Sequence, residues 1–335
     1  MLQILLEKPG QFAAVDGPEP TLAPGDALVR VHRVGVCGTD LHAFAGKQPF
    51  FSYPRILGHE LGVEVIDPGS EPHGLKRGDR CSVEPYVNCG RCIACRRGKP
   101  NCCSELRVLG VHADGGMRPL FALPARKLHS SKKLDYDQLA LVETLGIGAH
   151  AVERAQIQPD DFVLVIGAGP IGLSVIQFAL VTGAKLAVMD ISDTRLAFCR
   201  EKLGVAHTLS PTEGAARLKE IGGDLPTVVI DATGNAKSMA GTFDLAAHGG
   251  RIVFVGLFQG DVTFNDPNFH RRELTLCGSR NALPETFRHI ISLVESGRVD
   301  TKPWITHRFA LNETPGRFPE IARDPSVLKA VIAVD

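Results

Sequence analysis

The sequence predicts an α/β protein in which an irregular β-rich unit is joined to a doubly wound domain with a parallel sheet. Residues 1–140 contain short strand-like segments broken by glycine and proline, a pattern typical of strands and tight turns. From about Asp160 onwards, apolar strand-like runs alternate with helical patterns, which indicates a parallel sheet covered on both faces. The chain has 335 residues, enough for two domains with full cores.

The first unit begins with short strands and resumes at the end of the chain. The segment ALVRVHRVGVCG at 27–38 has the alternation of a strand, and five glycines between 58 and 78 punctuate the residues that follow. Near the C-terminus, LPETFRHIISLVESGRV at 283–299 has helical spacing, and KAVIAVD at 329–335 predicts a closing strand. This tail is too short to form a domain alone, so we expect it to complete the first unit.

The second unit repeats a strand and helix pattern, which predicts right-handed connections and a doubly wound sheet. Its strands are predicted at FVLVIG (162–167), KLAVMD (185–190), AHTLS (206–210), PTVVID (226–231), GRIVFVG (250–256) and ELTLCGS (273–279). Its helices are predicted at PIGLSVIQFALVTGA (170–184), TRLAFCREKLG (194–204), TEGAARLKEIG (212–222) and NAKSMAGTFDLAAHG (235–249).

Composition excludes partners that need a strong overall charge. The chain balances 37 Lys and Arg against 37 Asp and Glu, so no global field attracts nucleic acid or an anionic membrane. No apolar run approaches the roughly 20 residues of a membrane span. The N-terminal segment reaches Glu7 and Lys8 without the features of a signal peptide. We therefore expect a cytoplasmic protein with neither nucleic-acid nor membrane partners.

A glycine motif between a strand and a helix predicts a dinucleotide site. The motif consists of Gly167, Ala168, Gly169, Pro170, Ile171 and Gly172. Its glycines permit the tight turn, the approach of a pyrophosphate and close helix–strand packing. Asp190, at the end of the next strand, is expected to bind the ribose hydroxyls and repel a 2′-phosphate, which favours NAD over NADP. Arg195 has two interpretations, a contact over the adenine or a solvated charge on a helix.

Clustered cysteines predict a structural zinc site. Cys89, Cys92, Cys95 and Cys103 form a C-x2-C-x2-C-x7-C pattern, and four thiolates from one loop can close a tetrahedral zinc shell. Cys102 competes with Cys103 for the fourth position. An iron–sulfur cluster is the other interpretation, but the pattern lacks the expected Cys-Pro ending.

Cys37 and His59 supply half of a second zinc shell. A catalytic zinc needs about three protein ligands and one exchangeable position. By spacing alone, however, a single Cys–His pair is more typical of a core thiol beside a hydrogen-bonded histidine.

Taken together, the motifs resemble those of the zinc-containing medium-chain dehydrogenases of the alcohol and polyol type, over essentially the whole chain. They are CGTDLH (37–42), GHE (58–60), GDR (78–80), CGRCIACRRGKPNCC (89–103), GAGPIGL (167–173) and DATGN (231–235). LGVHADGG (109–116) and GSRNA (278–282) resemble the sorbitol, threonine and L-galactonate dehydrogenase subgroup, with its starvation-sensing-type members. The resemblance implies a GroES-like catalytic domain at 1–145 and 281–335, and a Rossmann coenzyme domain at 146–280.

The resemblance also implies roles for individual residues. Cys37 and His59 would ligate the catalytic zinc, with Glu60 as a ligand or close to the metal and Glu143 in the position of the remaining ligand. Asp40 would hold His59, and Thr39 and His42 would carry the alcohol proton to solvent. Thr233, within DATGN, would contact the cofactor. Arg280 would either bind the substrate or form a salt bridge.

The function implied is hydride transfer from a secondary alcohol of a polyol, sugar or sugar acid to NAD, with one catalytic and one structural zinc, in a homo-oligomer that is a dimer or tetramer. The alternatives are a zinc-dependent primary alcohol dehydrogenase or aldehyde reductase, and a non-catalytic NAD-binding regulator. Loops around Phe50, Tyr53, His112 and Arg118 are expected to set the size of the substrate pocket. One departure from the family pattern lies close to His59. The family usually has glycine three residues after Glu60, where this chain has Val63, and the glycine of this chain comes one place earlier, at Gly62.

Overall fold

The computed structural model describes residues 1–49 and 51–334. The chain divides into two compact units, one of residues 1–144 with 283–335 and one of residues 145–282. The divisions fall at 144/145 and 282/283, whereas the sequence predicted 145/146 and 280/281. Among the helices of the described residues, none combines the length and apolarity needed to cross a membrane.

The secondary structure is numbered in chain order. The strands are β1 (Leu2–Lys8), β2 (Gln11–Asp16), β3 (Asp26–Val36), β4 (Arg55–Ile56), β5 (Glu60–Asp67), β6 (Arg80–Val83), β7 (Tyr86–Val87), β8 (Arg107–Val108), β9 (Leu120–Pro124), β10 (Leu128–Ser131), β11 (Phe162–Ile166), β12 (Lys185–Met189), β13 (His207–Leu209), β14 (Val228–Asp231), β15 (Arg251–Phe254), β16 (Thr275–Gly278), β17 (Ile305–Ala310) and β18 (Lys329–Ala333). The α-helices are α1 (Gly38–Phe44), α2 (Ile93–Arg96), α3 (Tyr136–Ala155), α4 (Pro170–Thr182), α5 (Asp193–Leu203), α6 (Gly214–Gly222), α7 (Ala236–Leu245), α8 (Asp266–Arg271), α9 (Pro284–Glu295) and α10 (Thr314–Ile321).

The first unit is built around the long strand β3. Its main sheet has the order β10-β6-β5-β3-β18-β17, and β9 also pairs with β3. β3 runs antiparallel to β5, β9 and β18, so the C-terminal strand is part of the same sheet as the N-terminal ones. Because β3 alternates core and outer positions, Val29 and Val31 are buried on one face, and the register shifts between Val31 and Arg33, before the buried Val34. A smaller sheet has the order β2-β1-β4.

The second unit is the doubly wound sheet predicted from the sequence. Its order is β13-β12-β11-β14-β15-β16, and every neighbouring pair is parallel. The central strand β11 is buried at all five residues, as expected for a strand covered on both faces. The strand order reverses between β11 and β14, the point at which ligands bind in open α/β sheets. The fold-class prediction is therefore confirmed.

Candidate active site

Strand pairing brings Cys37, His59 and Glu60 together. Cys37 directly follows β3, and His59 directly precedes β5. Because Gly35 pairs with Glu60 across these antiparallel strands, the end of one strand lies beside the beginning of the other. One ligand atom from each of the three side chains lies within 4.8 Å of the other two. His59 is 4% exposed and Glu60 is fully buried, so the cluster is largely shielded from water.

Two glycines make room for this cluster. A Cβ atom on Gly35 would lie 2.0 Å from Glu60 Oε2, and a Cβ atom on Gly62 would lie 2.1 Å from the Tyr136 carbonyl oxygen. The next residue, Val63, is fully buried in the core. Packing therefore explains why glycine occupies position 62 and valine position 63, since only a glycine fits where β5 meets the start of α3. This departure from the family pattern leaves Cys37 and His59 in contact range.

Asp40 holds both halves of the cluster. It is fully buried, and its Oδ2 accepts a hydrogen bond from the Cys37 amide at 2.9 Å. Its Oδ1 lies 3.5 Å from His59 Nδ1, which leaves Nε2 as the ring nitrogen available to a metal. Burial alone would lower the pKa of His59, but Asp40 and Cys37 outweigh it and raise that pKa well above its usual value. A site that draws a proton in this way also suits a metal cation, whose binding displaces protons from its ligands.

Glu60 forms a buried ion pair that the sequence did not predict. Lys329 Nζ lies 2.6 Å from Glu60 Oε1 and 2.5 Å from Oε2, and the Thr144 hydroxyl donates to Oε1 at 2.6 Å. Burial opposes both charges, yet Lys329 lowers the pKa of Glu60 and Glu60 raises the pKa of Lys329. Both groups are therefore charged at neutral pH. The one sequence signal was a lysine at the start of the apolar run KAVIAV.

Glu143 lies in α3 and has a different partner. Its carboxylate accepts a hydrogen bond from the Tyr86 hydroxyl. Burial raises the pKa of Glu143, and burial together with the Glu143 charge raises the pKa of Tyr86 well above its usual value. Tyr86 is therefore a hydroxyl donor at neutral pH. Glu143 is not part of the Cys37, His59 and Glu60 cluster, and its role as a further zinc ligand stays a prediction.

The proposed proton path lies on α1. Thr39 is half-buried and His42 is exposed, and residues three apart lie on the same side of a helix. Two of the predicted pocket residues, Tyr53 and Arg118, have local partners. The Tyr53 hydroxyl donates to the Ala43 carbonyl at 2.5 Å, and the Arg118 guanidinium lies 4.6 Å from the Phe121 ring centre. Phe50 lies outside the described residues.

The cysteine loop forms a second metal-type cluster. Sγ atoms of Cys89, Cys92, Cys95 and Cys103 all lie within 4.8 Å of one another, whereas Cys102 is exposed. Backbone amides of Cys95 and Ser104 lower the pKa of Cys92 to about 5, and burial raises the pKa of Cys103 to about 11. The donor set fits a closed tetrahedral zinc shell.

The glycine motif has the geometry that its spacing predicted. Gly167 has φ +95°, and a Cβ atom on Gly172 would lie 1.7 Å from the Gly167 carbonyl oxygen. The third glycine is therefore required by the turn itself. Asp190 follows β12, and its carboxylate accepts hydrogen bonds from the amides of Ala168 at 2.6 Å and Ser192 at 2.8 Å. The acid is thus fixed against the glycine loop.

The other predicted cofactor and substrate residues lie in the second unit. Thr233 follows β14 and donates through Oγ1 to Asp231 at 2.7 Å. Arg195 in α5 lies beside the glycine loop, since a Cβ atom on Gly169 would be 3.8 Å from its Nη1. Arg280 is exposed, two residues after β16. These positions leave the roles of all three residues as predictions.

Comparison with known proteins agrees with this architecture. Residues 23–133 match the family profile described as alcohol dehydrogenase GroES-like domain, and residues 170–296 match the one described as zinc-binding dehydrogenase. The chain is 43% identical to L-galactonate-5-dehydrogenase of Escherichia coli K12, over 92% of each chain. It is 34% identical to the starvation-sensing protein RspB of the same organism, also over 92% of each.

Solved structures are similar over the whole chain. RspB from E. coli CFT073 in complex with NADH superimposes with a TM-score of 0.92 at 29% identity, covering 100% of this chain and 99% of that one. A zinc-binding dehydrogenase from Sinorhizobium meliloti 1021, bound to NADP, gives a TM-score of 0.90 at 28% identity and covers 99% of each chain. The two complexes contain different dinucleotides, so they do not decide which one this chain prefers.

Proposed function

Because the chain belongs to the zinc-containing alcohol dehydrogenase family, with its GroES-like and zinc-binding dehydrogenase domains, we propose that it transfers hydride from a secondary alcohol of a sugar acid or polyol to NAD. The observation that carries this proposal is the buried cluster of Cys37, His59 and Glu60. The substrate class is supported by the relative named L-galactonate-5-dehydrogenase. NAD is supported by Asp190 beside the glycine loop.

Cys37 and His59 Nε2 would hold the catalytic zinc, with Glu60 and Glu143 as the carboxylates available to complete the shell. When bound, the metal supplies a Lewis acid that lowers the pKa of the substrate alcohol, and the dinucleotide accepts the hydride. Asp40 fixes the His59 ring through Nδ1, an arrangement that commonly tunes a metal-ligating histidine. Lys329 neutralises Glu60, so the cluster as a whole carries less negative charge than its residues suggest.

The residues of α1 would move the proton. Thr39 Oγ1 would accept the alcohol proton while passing on its own, and His42, exposed on the same helix, would release a proton to solvent. Histidine suits this step because its ordinary pKa lies near neutrality. The cysteine loop would hold the structural zinc through Cys89, Cys92, Cys95 and Cys103, with Cys102 outside the shell. A cytoplasmic homo-oligomer, either a dimer or a tetramer, is part of the same proposal, and light scattering tests the assembly.

A substrate panel tests the proposed function. L-Galactonate, other aldonic acids, polyols, threonine and primary alcohols are each supplied with NAD, and the absorbance of reduced nicotinamide is followed. We expect the highest kcat/KM with a sugar acid or polyol that carries neighbouring oxygens. Preference for a short primary alcohol would instead support the primary alcohol dehydrogenase, and no turnover with any of them by the zinc-loaded protein would contradict the proposal.

Asp190→Ala is expected to narrow the preference for NAD over NADP. The substitution removes the ribose hydrogen bonds, which weakens NAD binding. It also removes the negative charge that repels a 2′-phosphate, which strengthens NADP binding. We expect the ratio of the two kcat/KM values to fall at least about tenfold, since hydrogen bonds to a charged group contribute about 1.5–3 kcal/mol. Asp193→Ala, a nearby exposed acid, is the matched control. An unchanged ratio in Asp190→Ala would mean that another residue discriminates between the dinucleotides.

Arg280→Lys tests whether this arginine binds the far end of the substrate. Lysine keeps the charge but loses the planar fork that fits a carboxylate or two neighbouring hydroxyls. We expect kcat/KM for a sugar acid to fall about 10–100-fold while that for a short alcohol changes little. Equal losses on both substrates would point to a structural salt bridge and exclude Arg280 as a substrate contact.

A further inference from the structure

A basic cavity in the first unit has no part in the reaction proposed above. Its walls come from the loop between β5 and β6, from β10 and the turn before it, and from α9. The cavity has a volume of about 370 Å³, which is enough for an inorganic oxyanion or a small organic one. The side chains of His73, Arg126, His129 and Arg288 all line it.

The lining of this cavity is basic, and of its basic side chains only His129 contacts a carboxylate of the described residues, that of Glu84 behind it. Among the described residues that line it, four are basic and none is acidic. Arg288 and His73 are exposed, and neither side chain has a hydrogen bond or an ion pair to another described residue. Arg126 and Arg288 line the same cavity, so an anion bound there would be attracted by both charges.

Two of the basic groups are already held in position. Arg126 donates from Nη1 to Asn88 Oδ1 at 3.1 Å. His129 is buried and its Nε2 lies 3.2 Å from Glu84 Oε2, while its Nδ1 has no partner among the described residues. Fixed donors lose less entropy when a ligand binds. The cavity therefore combines donors that are already held in place with the side chains of His73 and Arg288, which are unpartnered within the described part of the chain.

The floor of the cavity is apolar. Leu75, Leu128 and Ile291 line it, and all three are buried. An apolar wall lowers the local dielectric and strengthens the attraction between arginine and an anion. The apolar wall also offers a contact surface for the short carbon chain of an organic anion, and an inorganic ion would leave this surface uncovered.

We propose that this cavity is a binding site for a phosphate-type oxyanion, either inorganic phosphate or the phosphate group of a small monoester. Two guanidinium groups at one opening match phosphate, because each can donate two parallel hydrogen bonds to its oxygens. Ser130, also at the cavity, adds a hydroxyl donor. The site uses none of the residues assigned to the metals or the dinucleotide, so it stands or falls independently of the proposed function.

Isothermal titration calorimetry of the full-length, zinc-loaded protein tests this site. Sodium phosphate is titrated at constant ionic strength into protein saturated with NADH, so that the pyrophosphate position is occupied. We expect saturable binding to the wild-type protein. Arg288→Ala and Arg126→Gln are each expected to weaken it at least about tenfold, as the loss of a charge-assisted hydrogen bond implies. Arg323→Ala, which removes an exposed arginine far from the cavity lining, should leave the affinity unchanged.

Additional measurements distinguish inorganic phosphate from a phosphate monoester as the ligand and check that the variants remain intact. Tighter binding of glycerol 3-phosphate than of inorganic phosphate would identify a monoester as the ligand type, and equal binding would identify the free ion. Zinc content checks that Arg126→Gln leaves the cysteine loop intact, because Asn88 also donates to Cys95 Sγ at 3.5 Å. Absence of saturable binding to the wild-type protein, or equal weakening in Arg323→Ala, would overturn the proposal.

Discussion

Cys37→Ser is expected to remove one of two zinc ions per chain and to abolish turnover. The serine hydroxyl is a far weaker zinc ligand than a thiolate, and the remaining imidazole of His59 and the Lys329-paired Glu60 do not form a tight site alone. Loss of the Lewis acid removes several kcal/mol of transition-state stabilisation, so we expect kcat/KM to fall at least about a thousandfold. Elemental analysis and steady-state kinetics of the purified variant measure the two effects.

Cys95→Ser is the matched control, because it changes the same atom in the other cluster. Zinc bound by four thiolates contributes directly to folding free energy, so we expect this variant to lose thermal stability more than Cys37→Ser does. A wild-type protein that contains one zinc, with the same content after Cys37→Ser, would rule out the catalytic metal assignment. Equal thermal stability in the two variants would argue against a structural zinc in the cysteine loop.

The fold of the second unit could be predicted because its signals are local. Each strand of the parallel sheet is a short apolar run, and Gly167 and Gly172 mark a turn whose geometry excludes a side chain at Gly172. The four thiols of the cysteine loop were predictable for the same reason, since all lie within fifteen residues. The spacing favoured Cys103 as the fourth ligand with Cys102 as its competitor, and the fold agrees with that choice, since Cys103 is buried within the thiol cluster and Cys102 is exposed.

The surroundings of the active site could not be predicted, because they depend on pairing between distant strands. Lys329 contacts Glu60 across 269 positions of sequence, and this contact follows from the pairing of both β5 and β18 with β3. The Tyr86 hydrogen bond to Glu143 spans 57 positions. Sequence spacing identified which side chains carry the chemistry. The buried partners of Glu60 and Glu143, in contrast, are brought to them only by the tertiary structure.

Lys329→Met is expected to destabilise the first unit strongly. Lys329 is 2% exposed and Glu60 is fully buried, so the substitution leaves a buried carboxylate whose remaining hydrogen-bond donor among the described residues is the Thr144 hydroxyl. Breaking a buried ion pair on one side costs about 3–5 kcal/mol. For a unit of this size we expect the midpoint of thermal unfolding to fall by on the order of 10 °C. Lys302→Met, which removes an exposed lysine, should shift it little.

Adding Glu60→Gln to Lys329→Met tests the cause of the lost stability. If the cost arises from the uncompensated charge, Glu60→Gln combined with Lys329→Met should recover most of the stability, because two neutral groups replace a lone anion. If the cost arises instead from lost packing of the lysine chain, the double variant will be as unstable as Lys329→Met. The thermal stability of Lys329→Met and of the wild-type protein should also be compared with and without zinc. In Lys329→Met, Glu60 has lost its ammonium partner and can turn toward the cation, so we expect zinc to stabilise this variant more than it stabilises the wild-type protein.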